Sequence, residues 1–517
     1  MALQHRLGRV PETNTGPFML NARFLTLPKA SKLSLRDQVC ELMSSAITQN
    51  LFPKAERLPS CRALSEHLGV SRNTVHDAYC RLIDIGLVTS RDRSGYFVDD
   101  TIIDLNRSNT MARSNGETIS SPLEHALADR KRPSDMAKVD HPEDWNNYPY
   151  PFVYNQIDPT WFPIQEWRES MRTAMASSGL VEWSRDAGGA DSSNLIKQLQ
   201  HRLLGYRGIH AAPDEILITS GAQNAISLLA TLNAYLGRRV AIEDPCYPEA
   251  RNAFEVAGNQ LFCVPVDQSG LIVEQIPSDV GLVYTTPSHQ FPTTVTMSVK
   301  RRLELCERAV RDDFLICEDD YEAEMSFTQK REKPISSLDA SGRTVYVGSL
   351  SKSVAPGLRI GYMVAHPDVI REVKAIRRST MRHPPILLQD AMAHFIASGA
   401  LDAHLRKMER RYRSRWEIVL EALTEHLPDF DRQVSHGGTC VWLTAPKGID
   451  TSILAHRLKQ QGVLLDEGGV FYRDPSQGQR KLRIGFTALP RASLNDGIKL
   501  IAAEAQEMSA ELKRVSI

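Results

Sequence analysis

Apolar residues between positions 33 and 98 recur at helical spacing. In LRDQVCELMSSAI, Leu35, Val39, Leu42, Met43, Ala46 and Ile47 fall on one face of a helix. The run LPSCRALSEHLGVSRNTVHDAYCRLIDIGLV predicts two more helices, one capped by Ser60 and ending at Gly69, the next capped by Ser71 and ending near Gly86. With only a Gly-Val turn between them, these two make a helix-turn-helix. LVTSRDRSGYFV then reads as two short strands around a turn at Arg93-Ser94-Gly95, which predicts a wing.

Past residue 98 the pattern stops. Residues 99–147 are rich in Ser, Asn, Asp, Lys and Arg and poor in apolar periodicity, and read as a linker with a helical turn around Pro122 to Leu127. As a flexible coil, a stretch of this length reaches roughly 35 to 42 Å. From Tyr148 onward, strand-like runs alternate with helical ones, the pattern of an α/β domain on a mostly parallel sheet. The expected organisation is a small domain at 31–98, a linker at 99–147 and a large domain at 148–517.

Composition narrows the function classes. The 517 residues hold 62 basic and 62 acidic side chains, so no global field draws the molecule onto nucleic acid or an anionic membrane, and any nucleic-acid binding is local. Eight scattered cysteines show neither C-x-x-C pairs nor metal-ligand spacing, which predicts reduced thiols, no metal and a cytoplasmic setting. No 18-residue apolar window predicts a membrane span, and the N-terminus lacks the apolar core of a secretory signal.

In a helix-turn-helix the first turn of the second helix meets base edges in the major groove. Here that turn carries Ser71, Arg72, Asn73 and Thr74, while Val75, Tyr79 and Leu82 fall on the buried face. Arginine can grip guanine bidentately, asparagine can do so for adenine, and hydroxyls can hold phosphates. Arg57, Arg62, Arg91 and Arg93 would flank this turn as backbone contacts. A helical protein-interaction domain with solvated charges is the competing reading. The run from LPSCR to SGYFV, with its G-V-S-R-N-T-V core, resembles the winged helix-turn-helix of the GntR family of bacterial regulators, which implies double-stranded operator DNA as a partner.

Open α/β sheets place ligands at the carboxyl ends of their strands. After EILIT comes SGAQ opening a helix, a phosphate cradle of unpaired backbone N–H groups. DPCYP after RVAIE brings Tyr247; FLICE is followed by Asp319, Asp320 and Tyr321; RTVYV is followed by GSLSK, with Lys352. Pyridoxal phosphate needs an amine for a Schiff base, an acid for its ring nitrogen, a hydroxyl near its phenolic oxygen, an aromatic plane and a phosphate pocket. All five occur here in succession.

This order resembles the fold-type I aminotransferases over about residues 150–500. The resemblance implies that Lys352 carries pyridoxal 5'-phosphate, Asp319 pairs with the pyridine nitrogen, Tyr321 meets the ring hydroxyl and Tyr247 lies against the ring. It gives the phosphate to Ser220, Gly221, Ala222, Ser349, Ser351 and Arg359, and a ligand carboxylate to Arg483 in KLRIGFTAL. The chain departs from that family at TTPSHQFPTT, where Phe291 precedes the proline in place of the usual asparagine and Thr294 takes the glycine position; Ser288, His289 or Gln290 is expected to substitute. WSRDAGGADS is a second departure, with Gly188 and Gly189 near the ligand's approach. A GntR-type reader joined to such a domain is similar to the MocR/GabR subfamily of bacterial regulators. That likeness implies a head-to-tail homodimer, nucleoid-associated when DNA-bound, that senses an amine or amino acid effector through aldimine formation at Lys352 with little or no turnover; the alternative is an aminotransferase with an appended regulatory domain.

Overall fold

The computed structural model describes residues 26–27, 33–48, 51–52, 57–91, 94–99, 132–139, 141–153, 156–176, 180–181, 183–186, 188–322, 325, 332–433 and 437–515. The chain divides into two compact units, 1–129 and 130–517. Residues 133–139 and 141–147, expected at the end of the linker, pack within the large unit: the Ala137 carbonyl accepts from Asn252, and His141 meets Asp466. The turn expected at Pro122 to Leu127 lies outside the described residues.

In the small unit, α1 (Leu35–Thr48), α2 (Cys61–Leu68) and α3 (Arg72–Asp84) close over a core of Val39, Met43, Leu64, Val75, Tyr79 and Leu82. The capping expected from sequence is present. The Ser60 hydroxyl accepts from Ala63 N at 3.2 Å, the Ser71 hydroxyl accepts from Thr74 N at 3.0 Å, and Gly69 ends α2 in the left-handed region at φ 68°. Strands β1 (Val88–Arg91) and β2 (Gly95–Val98) pair antiparallel as the wing, with Arg91 opposite Gly95.

The large unit is built on β4 (Ile216–Thr219), β5 (Arg239–Asp244), β6 (Leu261–Asp267), β7 (Gly270–Leu271), β8 (Val280–Thr285), β9 (Leu315–Asp320), β10 (Thr344–Ser349) and β11 (Gly361–Val364), in the order β4-β11-β10-β9-β8-β5-β6-β7. Strands β10, β9, β8, β5 and β6 are parallel; β11 runs antiparallel to both neighbours. The central strands are apolar on both faces because helices cover both sides, as parallel sheets require. One covering helix is α4 (Ala222–Leu236). C-terminal to the main sheet, β12 (Asp431–Arg432), β13 (Cys440–Thr444), β15 (Asp466–Glu467) and β16 (Lys481–Gly485) form a second, antiparallel sheet, and β14 (Val463–Leu464) pairs parallel with β3 (Tyr150–Pro151). The antiparallel sheet shares a core with the helices Ala400–His426 and Ser493–Val515.

Candidate functional site

The strand ends converge on a cavity at the carboxyl edge of the main sheet. Strand β9 ends in three buried acids, and the two-residue alternation of a strand separates their tasks. Glu318 accepts the backbone N–H groups of Ile335 and Ser336 at 2.7 and 2.8 Å, and Asp320 accepts the Tyr346 hydroxyl at 2.8 Å while pairing with Arg207. Asp319 faces the cavity. Its Oδ2 accepts the Tyr284 hydroxyl at 2.7 Å, and its Oδ1 is buried with no hydrogen-bond partner. Burial raises this carboxyl to about 7, against the opposing effect of the Tyr284 hydrogen bond. A buried polar oxygen without a partner is costly, so the position is made for a donor from a bound group.

Lys352 lines the same cavity. Its Nζ lies 4.2 Å from the Tyr321 ring centroid and 5.9 Å from that of Tyr247. Burial, with a further contribution from the Arg483 charge, holds its ammonium well below the usual lysine range, which favours the nucleophilic amine.

The opposite end of the cavity is shaped for an anion. Gly221 caps α4 at φ 83° with no side-chain acceptor on the helix N–H groups, and no acid stands in the first turn. The Arg359 guanidinium lies beside it, its Nη2 donating to the Ser220 carbonyl at 3.2 Å. A Cβ at Gly221 would come within 3.2 Å of that guanidinium, and one at Gly361 within 2.7 Å of the Gly221 carbonyl carbon. Glycine is thus required at Gly361 by close backbone approach and favoured at Gly221 by its left-handed backbone. Ala222, Ser349, Ser351 and Arg359 line the cavity; Ser220 and Gly221 are not in the lining but adjoin Arg359, which is. An amine, an acid awaiting a donor, an aromatic wall and an anion cradle fit pyridoxal phosphate.

The TTPSHQFPTT loop corrects one expectation. Gln290 is committed to the protein: its amide donates to the Pro245 carbonyl at 2.7 Å and its Oε1 accepts the Thr293 hydroxyl at 2.5 Å. Ser288 points toward Arg207, and neither it, His289 nor Gln290 lines the cavity. The wall is made instead by Thr286 and Phe291. Buried Glu243 anchors the loop by accepting the hydroxyls of Thr285 and Thr286 at 2.5 and 2.7 Å. Thr294 adopts φ 64° where the family pattern has glycine, held by its N–H on the Gln290 carbonyl at 2.7 Å. Gly188 and Gly189 lie outside the cavity lining, where the Gly189 carbonyl accepts from buried Arg377.

Arg483, on β16, is fully buried, and its guanidinium carbon sits 4.6 Å from the Phe291 ring centroid. It does not line the cavity itself but packs against Phe291, which does, close enough for its charge to act on Lys352. Sequence reasoning missed Tyr284 and Thr286; the only signal was their place at, and directly after, the end of the apolar run VGLVYT.

In the DNA-reading unit, Arg72 and Asn73 are exposed at the start of α3. The Ser71 and Thr74 hydroxyls lie 2.8 Å apart and satisfy each other as well as the helix end. Arg62 is exposed and pairs with Glu66. Arg57 bridges to Phe97 and packs beside Gly95, and Arg91 covers the Phe97 ring at 4.6 Å, so both sit at the wing. Arg93 lies outside the described residues. No group of three or more His, Cys, Asp or Glu among the described residues is placed to hold a metal, and no described helix is long and apolar enough to cross a membrane.

Fold and site together define an aminotransferase-type domain: residues 158–501 match the family "Aminotransferase class I and II". The kynurenine aminotransferase of Pyrococcus horikoshii, solved in complex with PMP, superposes with a TM-score of 0.66 at 27% identity, covering 75% of this chain and 99% of that one. Residues 35–98 match "Bacterial regulatory proteins, gntR family". The HTH-type transcriptional regulator TauR of Rhodobacter capsulatus is 39% identical over 91% of this chain and 96% of its own length. The probable rhizopine catabolism regulatory protein MocR of Rhizobium meliloti is 29% identical over 90% of this chain and 96% of its own. The chain belongs to this family of HTH-type transcriptional regulators, in which a gntR reader is joined to an aminotransferase class I and II domain.

Proposed function

We propose that the protein is a cytoplasmic, DNA-binding transcriptional regulator that senses an amine or amino acid at a pyridoxal phosphate held by Lys352. The observation that carries this reading is the unpartnered Oδ1 of buried Asp319, in the same cavity as the Lys352 amine, in a chain that also bears a gntR reader. When bound, the cofactor supplies an aldehyde carbon on which one primary amine can replace another. The protein's residues do the rest. Asp319 accepts the ring N–H, and the α4 N-terminus with Arg359, Ser349 and Ser351 holds the phosphate. Tyr247 and Tyr321 bound the space around Nζ, with Tyr321 toward the ring oxygen. With the cofactor bound, the Lys352 amine would give up its place to the effector's, and Arg483 would receive the effector's carboxylate.

Signalling requires only that the effector favour one arrangement of the protein over another, a difference typically worth about 1 to 3 kcal/mol. Arg72 and Asn73 read bases, with Ser71 and Thr74 near the backbone, and Arg57, Arg62, Arg91 and Arg93 hold phosphates on operator half-sites presented to a homodimer. An aminotransferase proper is less favoured. Phe291 stands where the asparagine would donate a hydrogen bond to the cofactor, and Thr286, the other residue of this loop in the cavity lining, gives its hydroxyl proton to Glu243.

The test is Lys352→Ala. The purified variant is expected to lose the absorbance band of the bound cofactor and its DNA-binding response to amines, while still binding operator DNA. A full amine response in that variant would overturn the reading.

A further inference from the structure

Arg483 does not meet the cavity as an unclaimed cation. Strands β15 and β16 pair antiparallel with Asp466 directly opposite Arg483. Nη1 donates to Asp466 Oδ2 at 3.2 Å, and Nε donates to Cys440 Sγ at 3.1 Å. Both side chains of the ion pair are only 1% exposed. The other oxygen, Asp466 Oδ1, lies 2.6 Å from His141 Nε2. A carboxylate of the protein therefore already sits on the guanidinium, and it has a second partner on its far side.

We propose that Asp466 is a specificity-determining residue: an internal carboxylate that competes with the effector's acidic group for Arg483, with His141 retaining Asp466 when the effector takes its place. The inference rests on the reading of Arg483 as the carboxylate site. A buried guanidinium stripped of its anion is strongly destabilised, so Asp466 serves it while the site lacks an acid. Two carboxylates on one guanidinium repel each other, so an incoming acid gains only the difference between its own contacts and those of Asp466. An acid that makes two parallel N–H contacts outcompetes the internal one, whereas an anion making a single contact does not. Asp466 thereby raises the threshold against poorly fitting anions, and simple amines do not feel it. Displaced from Arg483, Asp466 keeps the His141 hydrogen bond, which lowers the cost of the exchange.

The test uses the full chain loaded with pyridoxal phosphate, titrated calorimetrically with glycine, L-alanine, β-alanine and 4-aminobutanoate. The same titration is run with methylamine, ethylamine and propylamine, which are these acids without their carboxylate. Asp466→Asn is expected to tighten binding of at least one acid by about tenfold, within the usual range of coupling between groups, with the amines unchanged. His141→Gln is expected to act in the opposite sense, weakening the same acid without touching the amines. A pair that only braces the sheet would weaken acids and amines together in both variants. That result, or no acid-specific gain in Asp466→Asn, overturns the proposal. Should Asp466→Asn not fold, His141→Gln at the less buried position decides alone. Arg483→Gln separates the two readings. If it weakens acids selectively while Asp466→Asn is silent, the Arg483 reading stands and this one falls; if it treats acids and amines alike, the Arg483 reading itself falls.

Discussion

The DNA-reading unit and the cofactor cavity solve opposite problems with polar side chains. In the reader, Arg72 and Asn73 stand in solvent on a helix whose other face is core, and the unit needs only Ser60, Ser71 and Gly69 to start and stop its helices. In the large unit the polar groups are inside. Glu243, Glu318, Asp319 and Asp320 are all buried, and each but one has both oxygens engaged or a cationic partner. Asp319 and Asp320 each keep one oxygen without a hydrogen-bond partner, but Asp320 is paired with Arg207, and only Asp319 lacks a cation and lines the cavity. Exposed recognition residues cost little to keep and bind weakly one by one, whereas a buried group is expensive unless paired, so an unpaired one signals what is missing.

The largest expected effect tests the buried side. Asp319→Asn should weaken cofactor retention by about 100-fold or more, since removing one partner of a buried charge pair costs about 3 to 5 kcal/mol. Equilibrium dialysis with pyridoxal phosphate measures it, and unchanged affinity would mean that the unpaired oxygen does not await a donor from the cofactor. The same residue gives a pH signature in the cofactor-free protein. Burial raises the folded-state carboxyl from 3.8 to about 7, so between these values the folded state binds more protons than the unfolded one. That contribution to stability is complete below the unfolded pKa and is lost as pH rises toward 7. Thermal melts of the cofactor-free protein should therefore show a downward slope with pH in this window that Asp319→Asn lacks, and that saturating cofactor removes.

On the exposed side the effects shrink. Arg72→Ala should cost about 1 to 3 kcal/mol of operator binding and relax sequence preference at one position, as expected for a base contact. Fluorescence anisotropy against operator variants measures this, and a uniform loss across sequences would reassign Arg72 to phosphate. Cofactor affinity should not change. Smallest is Ser71→Ala, which removes the α3 cap and should lower stability of the reader by about 1 kcal/mol, seen as a lower melting temperature.

The contrast also explains how much could be read in advance. The helix-turn-helix was legible because its determinants are neighbours: two serine caps, a glycine stop and a 3.6-residue apolar rhythm lie within one short run, and the structure places each where the pattern does. The cavity was legible in outline because parallel strands deliver their following residues to one edge, so Tyr247, Asp319 and Lys352 meet although the chain separates them widely. The loop around Phe291 was misjudged. Ser288, His289 and Gln290 look like free polar groups in the sequence, and only the fold reveals that Glu243 on another strand claims Gln290 and that Arg207 meets Ser288.

What the sequence determined by itself is therefore whatever rests on local geometry and on the order of elements: the reader, the sheet, the cavity's chemical parts and the absence of a global charge that would bind nucleic acid unaided. The tertiary structure alone decided which polar groups are spent on one another. Hydrogen bonds saturate, so a side chain's availability depends on every neighbour that can claim it first. Asp466 and His141 are 325 positions apart in the chain and 2.6 Å apart in space, and no spacing rule connects them. With Arg483 they form a buried cluster that only the fold assembles.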